Sequence, residues 1–523
     1  MRKYVTINSL FLFFFLAIGA VLRFSYLDWG KPFFFHPDEN NIATAIAQLS
    51  LTQWNPHFFA YGSLPMYVTF LVSLMATLGH PNYSAIIYTL RFISATLSFF
   101  LIPSLFYIGK ALYSKTVGIL AAILASCSVG FIQFAHFGTF EMWLSFFTIW
   151  FFYGCFLLYK HTSQKHVLFT GIIGGILFSI KISTLVFLPI PLLLMALGLV
   201  QKKMQRKKII LFCSLYCLLI FGIVSITNPF FYFDTTSVIQ SLSYESSVAL
   251  GTVSVFYTQS FRHTLPIVYQ LRYVFPFLLN PLIFVASFIG FFFFCFFLIK
   301  KRYYRDILLF VFLALTVLSQ ATVFVKWTRY MLPTLPFLYL MLASVLARIP
   351  HAKFRFFLSA FLSLASFVFA CAFFFTVYPT DSRIQAADFI KQQHLVGSAF
   401  TEPYDLGILP FTAVLPDLHT INIYTIETNP LTRQRLLHDV RNDVFFVSLS
   451  QRLMRTRFHN AKDFPYGNAF YTKMLNGSLG YKIIYQTPCN FWCMLTYAGN
   501  PATSVEETAS VFDHPVVTIF QHE

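Results

Sequence analysis

Three acidic positions could do chemistry. Asp38 and Glu39 stand side by side in "FFFHPDENN", residues 33–41, and Glu141 lies in "AHFGTFEMWLSFF". Carboxylates are scarce in this chain: before residue 379 there are seven, Asp28, Asp38, Glu39, Glu141, Asp234, Glu245 and Asp306. A positioned carboxylate can take a proton from a hydroxyl or amine nucleophile, or help hold a divalent cation. The cations that could work with them are Lys181 in "GILFSIKISTLVF" and Lys326 and Arg329 in "VFVKWTRYMLPTLPFLYL". Such groups can hold a phosphate and stabilise the charge it gains as a leaving group. Each residue also has a plainer role. Asp38 precedes "ENNIATAIAQLS", whose Ile42, Ile46 and Leu49 share a helical face, so an N-cap is expected there. Glu141 could mark the membrane edge, and Lys181 could snorkel to the interface.

The elements that must position these groups are membrane helices. The 523 residues are 57% hydrophobic and only 11% charged, too apolar for an ordinary soluble protein. Apolar runs near 7–27, 86–109, 116–134, 141–159, 167–181, 184–200, 208–227, 277–299, 307–325, 330–347 and 355–377 are candidate crossings. The first follows Met1-Arg2-Lys3 without a small-residue cleavage site and reads as an uncleaved anchor. A twelfth run, 63–79, is decided by charge. If it does not cross, 18 basic residues fall on the side of Arg2 and Lys3, "QKKMQRKK" and "KKRYYR" among them, and 8 fall opposite. If it crosses, 16 of the 18 change sides, against the positive-inside rule. The expectation is eleven crossings, N-terminus inside, with 63–79 lying at the outer surface. Loop 28–85, the turn near 135–141, loop 228–276 and the tail 379–523 are then all outside, and only Asp306 of the seven acids is cytoplasmic.

The net charge of +17 does not mean nucleic acid. Residues 1–378 carry 26 Lys and Arg against 7 acids, in clusters between apolar runs, whereas 379–523 carry 11 against 13. That is a topology signal and not a phosphate-tracking groove. The tail mixes helix-like "RIQAADFIKQQ" and "TRQRLLHDV" with strand-like "DVFFVSL", "YKIIYQT" and "PVVTIF", the pattern of a small α/β domain. Of eight cysteines, six lie in apolar runs; Cys489 and Cys493 could pair locally if the tail is extracytoplasmic. His36 and His136 lie near the carboxylates in sequence and are candidate metal ligands.

In order and spacing these motifs resemble the GT-C class of polytopic glycosyltransferases, specifically bacterial relatives of protein O-mannosyltransferases and the lipid A aminoarabinose transferase. Asp38-Glu39 matches the Asp-Glu pair of the first external loop, "YGSLPMYV" a juxtamembrane helix, and Arg91 in "LRFISATLSFF" the Arg opening the next crossing. Glu141 stands where an acid, usually Asp, starts the fourth crossing. "GIIGGILFSIKIS" is similar to a Gly-rich segment leading to Lys, and "RYMLPTLPFL" to an "RY-x-x-P-x-x-P" segment. The tail segments "DVFFVSLSQRL" and "VFDHPVVTIF" are also similar to bacterial members. The resemblance implies an α-helical polytopic membrane protein: a GT-C-like catalytic domain over 1–378 and an extracytoplasmic α/β domain over 379–523. It implies transfer of a sugar, with inversion, from a polyprenyl-phosphate carrier to a lipid, glycan or protein acceptor at the outer face of the cytoplasmic membrane. Asp38 would be the base, with Glu39 and Glu141 orienting the acceptor or shaping the field and a divalent cation as a candidate cofactor. Lys181, Lys326 and Arg329 would hold the donor phosphate, and His57, Tyr61 and Arg91 would line the substrate site. The rival class is a lipid or saccharide flippase. Such transporters commonly show repeated halves and midplane charges, and neither is visible here.

Overall fold

The computed structural model describes residues 2–201, 205–402, 406–449 and 451–523. Lys202, Lys203 and Met204 of "QKKMQRKK", and Ser450 of "DVFFVSLSQRL", lie outside the described residues. Helices fill every apolar window, as they must where lipid offers the backbone no hydrogen-bond partners. Among the described residues, seven helices are long and apolar enough to cross a membrane, or eight if the pair Lys115–Ser126 and Val129–His136, bent by 52°, counts as one span. Shorter apolar helices, Leu12–Phe24, Gln164–Ile180 and Ile182–Gly198, occupy the other three windows. The chain is a multi-pass membrane protein. The Leu64–Ala76 helix has 13 residues, about 20 Å at 1.5 Å each, and falls short of a hydrocarbon core of about 30 Å.

The bend at Cys127–Ser128 has a visible cause. Ser128 Oγ accepts the Phe131 N–H (3.3 Å) and starts a new helix. The carbonyls freed at the end of the preceding helix are met by Arg23, which is fully buried and donates to Ala125 O (2.8 Å) and Ser126 O (2.9 Å). All eight residues of Val129–His136 are buried. This enclosed helix delivers Phe137, Gly138 and Glu141 to the end of the bundle.

The tail forms a five-stranded sheet in the order β2-β1-β3-β5-β4, with β1 Ala399–Thr401, β2 Leu418–Thr420, β3 Phe445–Ser448, β4 Tyr481–Gln486 and β5 Thr518–His522. β1 runs parallel to β2 and β3; β5 is antiparallel to β3 and β4. Side chains alternate across it. Phe400, Phe446 and Phe520 pack with Leu436 and Tyr471 on one face, and Phe445, Val447 and Ile519 with Ile390 and Phe411 on the other. Cys489 and Cys493 form a disulfide.

Candidate active site

Pro37 opens the Pro37–Ala47 helix, and its N-cap is His36, whose Nδ1 accepts the Glu39 N–H (3.4 Å). Burial holds the His36 imidazole below its ordinary pKa, which keeps a ring nitrogen free to accept. The expected cap at Asp38 is therefore corrected: Asp38 sits in the first turn with its side chain released for another partner. That partner is Arg329, in the short 3-10 helix Thr328–Thr334, which donates Nη1 to Asp38 Oδ2. Burial opposes ionisation of Asp38 most strongly, but the charge and hydrogen bond of Arg329, together with His36 and Lys181, hold the carboxyl below its ordinary range.

Glu39 points the other way. It is fully buried and takes Arg91 Nη2 at 2.8 Å and Nε at 3.1 Å, together with the Gly138 N–H at 2.5 Å. Arg91 spends Nη1 on Leu27 O and Trp29 O and stacks over the Trp29 ring. A Cβ at Gly138 would meet Leu90 Cβ at 2.7 Å, so the turn can come this close only without a side chain. The expectation that Glu39 and Arg91 touch substrate is corrected. Both are sealed from solvent and committed to each other, and they tie loop 27–39 to the Tyr83–Leu112 helix and the turn before Glu141.

The groups that do converge are Glu141, Lys181 and Arg329, which with Tyr330 line one cavity with Thr148, Thr184 and Gln320. Glu141 is 2% exposed, and neither carboxylate oxygen has a hydrogen-bond partner. Lys181 Nζ lies between the rings of Tyr330 (4.8 Å) and Tyr61 (5.3 Å). Tyr61 reaches it because Gly62 N–H bonds Ile180 O (2.9 Å) and a Cβ there would lie 2.0 Å from Ser179 O. Arg329 lies over Trp327 (4.5 Å), and its buried Nε has no partner. Glu245 is exposed on the Thr235–Leu250 helix; partial desolvation raises its carboxyl, while Arg329 and then Lys181 pull it down, so this helix brings a further acid toward the same cations. Sequence reasoning left Tyr330 and Glu245 out of the site; the first adjoins Arg329 in sequence, and the second carries no local signal.

Other expected residues lie elsewhere. Lys326 is buried with Nζ on Phe324 O (2.8 Å), turned into its own loop and away from the cavity. His57 is largely exposed, its Nδ1 3.9 Å from Asp234. His136 is buried with Nδ1 2.8 Å from Ile132 O and Nε2 2.9 Å from Ser25 O, so both ring nitrogens face backbone carbonyls and neither faces the cavity. Among the described residues the one cluster with metal-ligand geometry is His419, Asp439 and Asp443 in the tail. His419 already pairs there with Asp439 (2.9 Å).

The tail packs on the segments that carry Asp38 and Arg329. Phe512 of "VFDHPVVTIF" packs on His36 (ring centroids 4.3 Å), and Arg383 stacks on Phe35 (3.7 Å). Glu506 accepts the Thr328 N–H (2.8 Å) and hydroxyl (2.7 Å), next to Arg329. Sequence gave no warning of these contacts.

A family model described as dolichyl-phosphate-mannose-protein mannosyltransferase matches residues 63–226, a stretch that includes Arg91, Glu141 and Lys181. No curated protein matches the chain. Among solved structures, the archaeal oligosaccharyltransferase AglB from Archaeoglobus fulgidus, in complex with an inhibitory peptide and a dolichol-phosphate, is similar with a TM-score of 0.56 at 11% identity, over 100% of this chain and 89% of that one. The apo form of the Archaeoglobus fulgidus enzyme gives 0.54 at 12%, over 98% and 88%. ArnT from Cupriavidus metallidurans bound to undecaprenyl phosphate gives 0.45 at 12%, over 99% and 98%. The chain has the fold of the GT-C glycosyltransferases.

Proposed function

We propose that this protein is a lipid carrier-dependent glycosyltransferase that moves a sugar from a polyprenyl-phosphate donor to an acceptor at the outer face of the cytoplasmic membrane. The observation that carries the reading is the convergence of Glu141, Lys181 and Arg329, from three separate segments, on one cavity at the end of the bundle, with Asp38 joined to it through its ion pair with Arg329. Two of these groups keep unspent capacity: both oxygens of Glu141 and the Nε of Arg329. Buried polar atoms left unsatisfied cost stability, so they mark places where a ligand completes the site.

Lys181 and Arg329 hold the donor phosphate. As the bond from the anomeric carbon to the phosphate oxygen breaks, that oxygen gains negative charge, and both cations stabilise it without reorganising. Arg329 then shares its charge between the phosphate and Asp38, which raises the basicity of Asp38 when the donor is bound. The acceptor hydroxyl or amine passes its proton to Asp38 as its heteroatom bonds the anomeric carbon from the opposite face, and the configuration inverts. Glu141 orients the acceptor. A divalent cation, where one takes part, would find its ligand in the two free oxygens of Glu141 and would supply further charge stabilisation. Positive-inside counting supports the external placement of the site and tail.

The test is transfer from defined polyprenyl-phosphate sugars to cell-envelope fractions by wild type, Asp38→Asn and Glu141→Gln. Transfer at the wild-type rate by both variants would remove these carboxylates from the reaction and the enzyme reading with them.

A further inference from the structure

A second polar cavity, of about 200 Å³, lies between external segment 260–273 and the tail helix Gln451–His459. Its lining is cationic: Arg262, His263, Arg455 and His459, with the hydroxyls of Ser260 and Thr456. Both hydroxyl oxygens are buried without a partner, and Thr456 is 2% exposed. Arg455 is fixed in place, donating Nη1 to Val505 O and lying over the Tyr273 ring (4.7 Å). One carboxylate stands at the rim, Asp463, 3.8 Å from Arg262 and 3.0 Å from His263. It balances one of the two guanidinium charges; Glu506 and Glu507 act on Tyr269 from behind the lining, with Glu506 committed to Thr328. Two guanidinium groups, two hydroxyl donors and no acid inside the lining suit a tetrahedral or planar oxyanion.

We propose that this cavity is an anion subsite that takes a phosphate or carboxylate group carried by the acceptor. The identification of an acceptor rests on the transferase reading above; the anion chemistry does not. Two observations favour the acceptor over the donor lipid as the source. The pocket is built from an external segment and the tail, with no residue from a membrane-spanning helix, whereas the carrier's chain must stay in the bilayer. It is also joined to the reaction cavity by a chain of edge-to-face rings: Tyr269 of the lining packs on Phe261 (5.7 Å), Phe261 on Trp327 (6.1 Å), and Trp327 lies beneath Arg329 (4.5 Å). This packing fixes the pocket relative to Arg329 and Asp38, so an acceptor anchored here by its anionic group is held in a set position relative to the reaction cavity.

The experiment measures binding of radiolabelled inorganic phosphate to the full chain in neutral-lipid nanodiscs. A Lys181→Gln background weakens phosphate binding at the reaction cavity. The expected result is that this protein still binds phosphate, that Arg262→Gln weakens the binding about tenfold or more, and that Thr456→Val weakens it severalfold. Thermal unfolding that matches the parent shows that the two variants are folded. Added polyprenyl phosphate should leave the bound phosphate in place. The proposal is overturned if the Lys181→Gln protein binds no phosphate, if neither pocket variant changes binding, or if polyprenyl phosphate displaces the ion. Failure of the transferase reading shows separately, as unchanged sugar transfer in Asp38→Asn and Glu141→Gln, and leaves the phosphate result standing.

Discussion

Asp38 and Glu39 are neighbours in sequence and belong to different regions of the molecule. On the Glu39 side every charge is spent: the carboxylate meets Arg91 and a backbone N–H, and the three nitrogens of Arg91 all have acceptors. Asp306 is similar, sealed with Arg348 (2.7 Å) and the Tyr113 hydroxyl (2.8 Å). On the Asp38 side the charges outnumber their bonds, with Glu141 and the Arg329 Nε unpaired. A satisfied buried pair specifies structure; an unsatisfied one at a cavity is poised for a ligand.

The sharpest way to break this contrast is to exchange the outcomes of two substitutions. Glu39→Ala leaves the Arg91 charge buried alone, a change of about 3–5 kcal/mol. It should abolish accumulation of folded protein, read by size-exclusion chromatography in detergent. Asp38→Asn should leave the melting temperature within a few degrees and reduce transfer by about 10²–10⁴-fold, the range for loss of a general base. If Glu39→Ala folded and lost only transfer, the buried pair would belong to the chemistry and the division would fall.

What could be read in advance follows the same line. Charge counting places Asp38, Glu141, Lys181 and Arg329 at one membrane face, because sidedness depends on sequence alone. It cannot say that Asp38 takes an arginine 291 positions away while Glu39 takes Arg91, since partners are chosen by packing. The cap went to His36 because burial keeps its imidazole neutral, and composition alone favours Asp at such positions. The apolar window 116–134 hides a break that needs only Ser128 and the distant Arg23. In the tail, β3, β4 and β5 show in the β-branched and aromatic runs. β1 and β2, three residues each, are too short for any periodicity.

Asp513 tests whether an unpaired buried atom always means function. Its Oδ2 takes the Gln133 amide (3.0 Å), its Oδ1 has no partner, and burial pushes its pKa up to about 7. An acid raised in the native state costs nothing below about pH 4, where it is protonated folded or unfolded. Between about pH 4 and 7 the unfolded state ionises first and native stability falls; above about pH 7 the loss is constant, at up to about 4 kcal/mol. Asp513→Asn keeps the bond to Gln133 and removes the charge. Its melting temperature should exceed wild type above pH 7, with the gap closing toward pH 4. A gap independent of pH would show that the charge of Asp513 is compensated.

The smallest effects separate two lysines that charge counting assigns to the same membrane face. Lys181 lies in the cavity between two tyrosine rings with its charge directed at the proposed phosphate, and Lys326 is bonded to a carbonyl of its own loop. Losing a charge-assisted contact of about 1.5–3 kcal/mol corresponds to roughly 10–100-fold. Lys181→Gln should therefore lower transfer by that factor at subsaturating donor. Lys326→Gln, which can still donate to Phe324 O, should stay within about twofold in the same assay. Equal losses in the two variants would mean that the field of the whole face, and not contact within the cavity, holds the phosphate, and salt would then weaken both alike.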